Sequence, residues 1–364
     1  MSNTVTGLTD LSSDEIVLPI IEKKPFKILS LDGGGIKGLY TALILQHLEE
    51  AYGNPIADYF DLITGTSTGG LMALALTSKV PAAEIVNFYK ADGPKIFHRQ
   101  SLVKRVSGKI KQILHKGKYD NTVLKTAIEN VLGTDRKMKD AHNLLCIPAF
   151  NIGCGGPIVF KYPHKEGNYH RDGNIKMVDV ALATSAAPTY FPIHTIDQMQ
   201  CIDGGVWLNN PVLAGICEAI DHFVVQDKII HTGDRHIQFE EIQVLSIACI
   251  NPPSGESMKS NPKRSFLQWG GALSSIGITG QMQFSDHFCK RLVNNKLGGY
   301  YHRICSPQDL SAQHCKDIDL DLATPRAIET LCFFGNRVGY DYRAAQSYLV
   351  NPFFETFKTY VTNG

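Results

Sequence analysis

Two glycine-rich turns near the N-terminal end of the chain contain the residue types from which a catalytic or phosphate-binding site is built. The second turn, GTSTG at residues 65–69, has the G-x-S-x-G spacing of a nucleophile elbow. At such a sharp strand-to-helix turn a Cβ at Gly65 or Gly69 would clash, and the Ser67 hydroxyl points away from the backbone. The turn therefore predicts acyl transfer with Ser67 as nucleophile, and a simple glycine-rich turn is the alternative.

The first turn, DGGGIKG at residues 32–38, satisfies the G-x-G-x-x-G spacing of a dinucleotide-binding loop. It is not a P-loop, because leucine and tyrosine follow Gly38 where lysine and serine or threonine would be required. The N–H groups of Gly33, Gly34 and Gly35 could bind a nucleotide phosphate or stabilise the oxyanion of an acyl-transfer transition state. Because a dehydrogenase has no need of the second turn, the two motifs together favour acyl transfer.

A serine hydroxyl needs a base near neutral pH, and Asp203 is the candidate. It ends a short apolar stretch in CIDGG at 201–205, which NNP follows at 209–211. A carboxylate buried beside the hydroxyl can accept its proton. An ordinary turn aspartate and a Ser–Asp–His triad both stay open. The histidines that follow Asp203 and could complete a triad are His222, His231, His236, His287, His302 and His314.

The elements around these turns repeat the order strand, glycine turn, helix. A strand is predicted at 26–31 and a helix at 39–52, and a strand at 60–64 leads into a helix at 71–78. This order predicts an α/β fold with a largely parallel central sheet. The remaining predicted elements are strands at 143–151, 201–202 and 241–250 and helices at 81–90, 121–132 and 211–222.

No linker-like stretch divides the chain, so we expect one catalytic unit with an extension. The expected parts are an N-terminal leader at 1–24, a catalytic domain at 25–250 and a helical C-terminal extension at 251–364 that packs on the catalytic domain. Near the end, an aromatic stripe predicts a helix packed on the core. The stripe consists of Phe353, Phe354, Phe357, Tyr360 and Val361.

Composition excludes several classes of protein. Of 364 residues, 43% are hydrophobic and 20% are charged, and the net charge is +1, which indicates a folded protein and argues against a nucleic-acid partner. No apolar run approaches the roughly 18 residues of a membrane-spanning helix, and the polar start shows no secretory signal. Nine cysteines without Cys-x-x-Cys spacing and thirteen histidines without ligand spacing predict free cytoplasmic thiols and no metal.

Four motifs that occur in order carry a resemblance to a known family. Besides the two glycine-rich turns, the chain has SAAPTYFP at 185–192 and DGG at 203–205 followed by NNP at 209–211. Together they resemble the patatin-like phospholipases, which implies a three-layer α/β/α fold with a mainly parallel central sheet. Lys37 stands where many members have arginine, and because lysine cannot make a two-pronged contact, any arginine-specific contact there is in doubt.

The resemblance also assigns roles to the residues of the motifs. It implies a Ser–Asp dyad, with Ser67 as nucleophile and Asp203 as general base, and an oxyanion hole formed by the N–H groups of Gly33, Gly34 and Gly35. The implied reaction is calcium-independent hydrolysis of acyl esters, typically of glycerophospholipids. No cofactor is expected.

The stretch at 93–119 is basic and amphipathic. It contains no aspartate or glutamate and eight lysines and arginines, with apolar residues near helical spacing. Such a helix can lie on an anionic bilayer or hold the phosphates of a nucleotide ligand, and a solvated basic helix is the alternative. The expected partner is a phospholipid bilayer, at the inner face of the membrane. The expected contact residues are Lys104, Arg105, Lys109 and Lys111.

A catalytic unit followed by a C-terminal extension also resembles the bacterial cyclic-nucleotide-activated phospholipases of antiphage defence. That resemblance implies a cyclic dinucleotide activator, for which no residue motif is readable, and a homo-oligomer stays open. Two other functions compete with lipid acyl hydrolysis. One is a nucleotide-binding oxidoreductase that uses the glycine loop at 33–38, and the other is a non-catalytic storage or binding protein on the same fold.

Overall fold

Short apolar segments build a central sheet, which contains nine strands among the residues that the structure describes. The computed structural model describes residues 20–98, 118–164, 170–225, 228–232, 235–253 and 266–362. The strands are β1 (Ile21–Leu31), β2 (Leu62–Gly65), β3 (Leu144–Asn151), β4 (Gly156–Lys161), β5 (His194–Ile196), β6 (Met199–Asp203), β7 (Ile230–Thr232), β8 (Arg235–Ile247) and β9 (Tyr300–Ile304). Central strand β1 is fully buried from Phe26 onward, which explains its nearly unbroken apolar sequence.

The order of the strands brings the two glycine-rich turns together. The strands follow the order β5-β6-β3-β2-β1-β8-β7, with β4 also paired to β3 and β9 to β8. The strands β3, β2, β1, β8 and β9 run parallel to their neighbours in that series, whereas β4, β5, β6 and β7 pair antiparallel. Leu31 of β1 lies opposite Gly65 of β2. Both turns therefore leave the sheet at the carboxyl ends of adjacent parallel strands, where ligands of such sheets bind.

Helices cover both faces of this sheet. The helices are α1 (Gly38–Tyr52), α2 (Thr68–Thr77), α3 (Ala82–Ile96), α4 (Asn121–Leu132), α5 (His170–Gly173), α6 (Met177–Thr184), α7 (Gly205–Leu208), α8 (Val212–His222), α9 (Phe266–Lys296), α10 (Ala312–Asp317), α11 (Pro325–Arg343) and α12 (Ser347–Phe354). Ile28 of β1 packs against Gly215 of α8, whereas its neighbour Lys27 reaches the opposite face and donates to the Phe353 carbonyl of α12 at 3.1 Å. The mainly parallel sheet between two helical layers confirms the predicted three-layer α/β/α fold.

The chain after residue 250 contributes to both the sheet and its helical covering. β9 extends the sheet beside β8, and α11 packs along α1. At Gly335 of α11 the two helices approach so closely that an added Cβ would meet Leu43 of α1. The division of the chain into domains at residue 250 stays a prediction.

The aromatic stripe near the C-terminal end does not form one helix. α12 ends at Phe354, and Phe357 beyond it stacks on Tyr59 with ring centroids 5.3 Å apart. The N–H groups of Thr359 and Tyr360 donate to the buried Asp61 carboxylate at 2.7 Å each. Because these backbone donors pair with a side chain rather than with a preceding helical turn, the expected helix is wrong beyond Phe354.

Several other element boundaries differ from the prediction, and β8, predicted at 241–250, spans Arg235–Ile247. β1 begins at Ile21, five residues before the predicted strand, because its first residues pair with β8. The helix predicted at 81–90 continues to Ile96. No helix within the described ranges is both long and apolar enough to cross a membrane. Four expected contact residues lie outside the described residues, namely Lys104, Arg105, Lys109 and Lys111.

We expect Gly335→Ala to destabilise the protein, because its Cβ would lie 2.8 Å from Leu43 Cδ1 and 3.1 Å from the Tyr40 carbonyl oxygen. Overpacking of this kind costs about 1–3 kcal/mol, more than the ~1 kcal/mol that alanine gains over glycine in a helix. Thermal unfolding should show a lower melting temperature. Gly277→Ala is the control, since nothing lies within 4 Å of its added Cβ. Equal melting temperatures for the two variants would contradict close packing of α1 against α11.

Candidate active site

The turn between β2 and α2 has the geometry that its spacing predicts. Ser67 has φ 54° and ψ −121°, in a positive-φ region that side-chain-bearing residues rarely adopt. A Cβ at Gly65 would lie 2.1 Å from the Gly69 carbonyl oxygen, and a Cβ at Gly69 would lie 2.2 Å from the Leu31 carbonyl oxygen. Both glycines are therefore required for the backbone to close this turn.

The Asp203 carboxylate lies directly against the Ser67 hydroxyl. β6 ends at Asp203, whose backbone pairs with Ala149 of β3. The Ser67 hydroxyl donates to Asp203 Oδ2 at 2.7 Å, and the Gly205 N–H donates to Oδ1 at 2.7 Å. The sheet thus joins two residues that are 136 positions apart in the chain.

Burial makes Asp203 a stronger base than an exposed aspartate. Its side chain is 6% exposed. Burial raises its pKa to about 6, although the hydrogen bonds from Ser67 and Gly205 act in the opposite direction. A carboxyl group with this pKa is mostly ionised at neutral pH, so Asp203 can accept the proton of the hydroxyl that it contacts.

The end of α6 and the SAAPTYFP motif hold both residues in place. Thr184 Oγ1 accepts a hydrogen bond from the Ser67 N–H at 3.0 Å and donates to the Pro148 carbonyl at 2.6 Å. The Ala186 carbonyl, within the motif, accepts the Asp203 N–H at 3.0 Å. Thr184 at the end of α6 therefore holds the strained turn, and Ala186 in the motif holds the backbone of Asp203.

The glycine loop after β1 lies beside the elbow, but its three glycines are not equivalent. The Gly33 N–H donates to the Asn209 carbonyl at 3.0 Å, and the Asn209 side-chain amide donates to the Gly33 carbonyl at 3.2 Å. Gly33 therefore does not fit the oxyanion role expected of it in this conformation, because its N–H is already paired. Within the part of the chain that the structure describes, the N–H groups of Gly34 and Gly35 have no hydrogen-bond acceptor.

The C-terminal part of the chain holds this loop from its other side. The Ile36 N–H donates to the Leu320 carbonyl at 2.9 Å. Gly35 has φ 59°, and a Cβ there would lie 2.2 Å from the same carbonyl oxygen. Glycine is therefore needed at position 35 both for its backbone conformation and for this close approach.

Arg303, which no sequence motif marks, also supports the loop. From β9 its Nη1 donates to Asp32 Oδ1 at 3.2 Å, and its Nη2 donates to Asp32 Oδ2. Arg303 also donates to Ser246 of β8. Burial raises the pKa of Asp32, and the guanidinium opposes that rise. The two residues are 271 positions apart, so only the place of β9 in the sheet reveals the pair.

Lys37, the departure from the family pattern, is buried under the loop. Its ammonium donates to the Asn251 side-chain oxygen, and burial lowers its pKa. Lysine cannot make a two-pronged contact, and in this chain Arg303 makes such a contact with Asp32 instead.

The described contacts of the histidines that follow Asp203 are with residues other than Ser67 and Asp203. His302 Nε2 pairs with the Tyr342 hydroxyl at 3.0 Å, and His314 Nδ1 accepts the Ser311 N–H at 3.3 Å. Ser67 and Gly205 occupy the two Asp203 oxygens. The direct contact between hydroxyl and carboxylate favours a dyad over a triad.

One group of side chains within the described residues has the arrangement of metal ligands. His164, Glu218 and His222 place ligand atoms within 4.8 Å of one another, and Glu218-x-x-x-His222 on α8 is a ligand spacing that the sequence does contain. The Lys161 ammonium pairs with the second Glu218 oxygen, which balances the carboxylate charge without an ion. The expectation of no metal stays a prediction.

The sequence of this chain is similar to those of known proteins. The family model described as Patatin-like phospholipase matches residues 29–216 of this chain. A cGAMP-activated phospholipase of Pseudomonas aeruginosa (strain BWHPSA011 / Pa011) is 33% identical, over 92% of this chain and 92% of its own length. The chain belongs to the patatin-like phospholipase family. A cGAMP-activated phospholipase of Escherichia coli (strain TW11681) is 30% identical, over 92% of this chain and 94% of its own length.

Among solved structures, human GIVD cytosolic phospholipase A2 aligns with 91% of this chain and 60% of that chain, with a TM-score of 0.43 at 9% identity. The family assignment rests on the sequence matches alone. As a patatin-like phospholipase the protein is an enzyme that hydrolyses carboxylic esters of lipids. Family membership favours this activity over an oxidoreductase or a non-catalytic storage protein.

We expect Arg303→Met to destabilise the protein by about 3–5 kcal/mol, because it leaves the Asp32 carboxylate buried without its partner. Thermal and urea unfolding measure the loss. The double variant Asp32→Asn/Arg303→Met removes both charges and should recover most of the lost stability. A double variant as unstable as the single one would show that Arg303 acts through packing rather than through the ion pair.

Proposed function

We propose that the protein is a phospholipase that cleaves acyl esters of membrane glycerophospholipids through a Ser67–Asp203 dyad and an acyl-enzyme. The observation that carries this proposal is the 2.7 Å hydrogen bond from the Ser67 hydroxyl to the buried Asp203 carboxylate. Family membership supplies the class of reaction. The roles of the two residues are our inference from their geometry.

The reaction proceeds in two steps. Ser67 Oγ attacks the ester carbonyl carbon while its proton passes to Asp203, and the tetrahedral intermediate expels the lysolipid alkoxide, which takes that proton. The acyl group is then bound to Ser67. Water attacks the acyl-enzyme and gives one proton to Asp203, the Ser67 oxygen leaves and recovers it, and the fatty acid is released.

The negative charge on the carbonyl oxygen needs donors in both steps. The N–H groups of Gly34 and Gly35 are the candidates, because the Gly33 N–H is already bound to Asn209. Amides fixed in a buried loop stabilise an oxyanion without reorganising during the reaction. This assigns the oxyanion hole to two of the three glycines of the motif.

A small apolar pocket lies beside α2, the helix that follows Ser67. Leu71, one helical turn after Ser67 on α2, lines this pocket together with residues of α3 and α4. Pocket walls of this composition suit hydrocarbon rather than a polar group. The lining residues are Leu71, Met72, Ala75, Ile85, Phe88, Tyr89, Ile128, Val131 and Leu132.

We propose in addition that a cyclic dinucleotide activates the enzyme, in a role in antiviral defence. The relatives from Pseudomonas aeruginosa and Escherichia coli are described as cGAMP-activated phospholipases, and each aligns with more than nine-tenths of its own length. The segments after residue 250 contact the glycine loop through Leu320 and Arg303. A ligand that repositions those segments would act directly on the oxyanion donors.

Ser67→Ala and Asp203→Asn should each lower fatty-acid release about a thousandfold or more, since one removes the nucleophile and the other its base. The assay measures fatty acids released from mixed phospholipid vesicles, with and without a panel of cyclic dinucleotides. At least one cyclic dinucleotide should raise release by the unaltered enzyme.

A fluorophosphonate probe provides the control for this experiment. It should label the unaltered protein and leave Ser67→Ala unlabelled, while both unfold at similar temperatures. Release at the unaltered rate from Asp203→Asn would exclude Asp203 as a catalytic residue, whether in a dyad or in a triad. Fatty-acid release that is the same with each cyclic dinucleotide as without any would contradict the proposed activation.

Activity on a monomeric short-chain ester should fall as the pH drops through about 6. The base must be ionised to accept the Ser67 proton, and burial raises the pKa of Asp203 to about 6. Below that pH the ionised fraction, and with it kcat/KM, decreases tenfold per pH unit, whereas above it the rate is constant. A profile of log(kcat/KM) from pH 4.5 to 8.5 measures this. A rate that stays constant down to pH 4.5 would contradict a raised pKa of Asp203, because an unperturbed aspartate titrates at about 4.

A further inference from the structure

Helix α9 presents an uncharged half to solvent. Its 31 residues span about 46 Å, and no aspartate, glutamate, lysine or arginine occurs from residue 266 to residue 285. Residues 273–277 are all exposed, and nothing lies within 4 Å of a Cβ added at Gly277 or Gly280. Within this half of the helix, the stretch at 273–277 therefore faces solvent.

One face of α9 carries large apolar side chains in that exposed position. Along the helix these side chains are separated by three or four residues, or by eight across Gly280, and they therefore lie on one side of the helix. Leu273 is 60% exposed and Phe284 is 65% exposed, and the ring of Phe284 stacks on that of Phe288 at 5.8 Å. We call this surface the apolar stripe. It consists of Trp269, Leu273, Ile276, Phe284 and Phe288.

The opposite face of the same helix packs on the protein. Cys289 and Val293 are fully buried and Ser285 nearly so. Because these residues already occupy the core-facing positions of α9, the apolar stripe is a separate surface and not an uncovered part of the core. Contiguous apolar surface of this kind on a soluble protein marks an interaction site.

Charges at the C-terminal end of the stripe indicate what that surface binds. Arg291 follows Phe288 by three residues on the same face, and Lys290 is beside it; both are exposed. An uncharged apolar face that ends in exposed cations complements an anionic bilayer, whose headgroups attract the cations while its acyl region receives the apolar side chains.

The helix also reaches the candidate active site. Gln281 Oε1 accepts the Asn209 N–H at 2.9 Å, and the Asn209 side-chain amide donates to Met282 Sδ at 2.9 Å. Asn209 in turn binds both backbone groups of Gly33. The helix that carries the apolar stripe is thereby connected through Asn209 to the glycine loop beside Ser67.

We infer that the apolar stripe of α9 docks this enzyme in the interface of an anionic phospholipid bilayer, with Lys290 and Arg291 at the headgroups. This inference rests on the proposed function, because it explains how a lipid substrate leaves the bilayer for Ser67. The helix lies in the interface and does not cross it, since no helix of the described chain is long and apolar enough to do so.

Vesicle sedimentation tests the docking. The full chain carries Ser67→Ala so that vesicles stay intact, and it is mixed with vesicles of phosphatidylcholine and phosphatidylglycerol at three to one, with and without cGAMP. Leu273→Ser/Phe284→Ser should lower the partition coefficient about tenfold or more. Arg291→Gln should lower it about fivefold on these vesicles and leave binding to pure phosphatidylcholine unchanged.

The matched control replaces two exposed apolar residues away from α9. Val123→Ser/Tyr340→Ser removes side chains that are 43% and 63% exposed, and it should sediment like the parent protein. Similar melting temperatures for parent and variants establish that all are folded. Binding by the α9 variant at the parent level, or an equal loss in the control, would overturn the inference.

Other outcomes separate this inference from the proposed function. An enzyme that hydrolyses a monomeric ester through Ser67 but binds no vesicle, in the presence or absence of cGAMP, overturns the docking and leaves the chemistry intact. Vesicle binding that depends on the apolar stripe, without fatty-acid release by the unaltered enzyme, supports the docking and contradicts the phospholipase. Sedimentation equilibrium in which the parent is dimeric and Leu273→Ser/Phe284→Ser is monomeric would assign the stripe to a second copy instead.

Discussion

The whole site depends on the contact between two backbones at the carboxyl ends of β1 and β2. The elbow closes only because Gly69 can lie against the Leu31 carbonyl, where a Cβ would come within 2.2 Å. That contact fixes Ser67 at a positive φ and sets the glycine loop beside the elbow, since both turns leave adjacent parallel strands at the same level. The proposed nucleophile and the proposed oxyanion donors are therefore positioned by the sheet register rather than by side-chain packing.

The pKa of Asp203 reflects a balance between desolvation and hydrogen bonding. Burial alone would favour the protonated carboxyl, whereas donors from Ser67 and Gly205 favour the ionised form, and the resulting pKa is about 6. A fully solvated aspartate would be too weak a base at neutral pH, and a buried one without donors would stay protonated. Two hydrogen bonds of 2.7 Å thus keep this carboxylate available as the proposed general base, the role that a histidine has in a triad.

Local features were predictable from the sequence, and long-range ones were not. The elbow could be predicted because its glycines, its serine and the flanking strand and helix all lie between Leu62 and Thr77. The pairing of Asp32 with Arg303 could not, because it depends on β9 joining the sheet 271 positions later. The occupied N–H of Gly33 also escaped prediction, since composition gives no sign of which carbonyl faces it. Phe357 was misassigned to a helix because aromatic spacing alone does not show that Asp61 binds the backbone donors that follow.

The same long-range contacts connect the glycine loop to the part of the chain on which the proposed activator would act. The glycine loop contacts the later chain at several points: Asp32 at Arg303, Ile36 at Leu320, Lys37 at Asn251, and Gly33 through Asn209 to α9. A loop whose donors must lie within a few tenths of an ångström of the developing oxyanion is sensitive to each of these supports. None of these contacts involves Ser67 or Asp203, so the proposed activator would act on the proposed oxyanion donors through the later chain and leave those two residues in place.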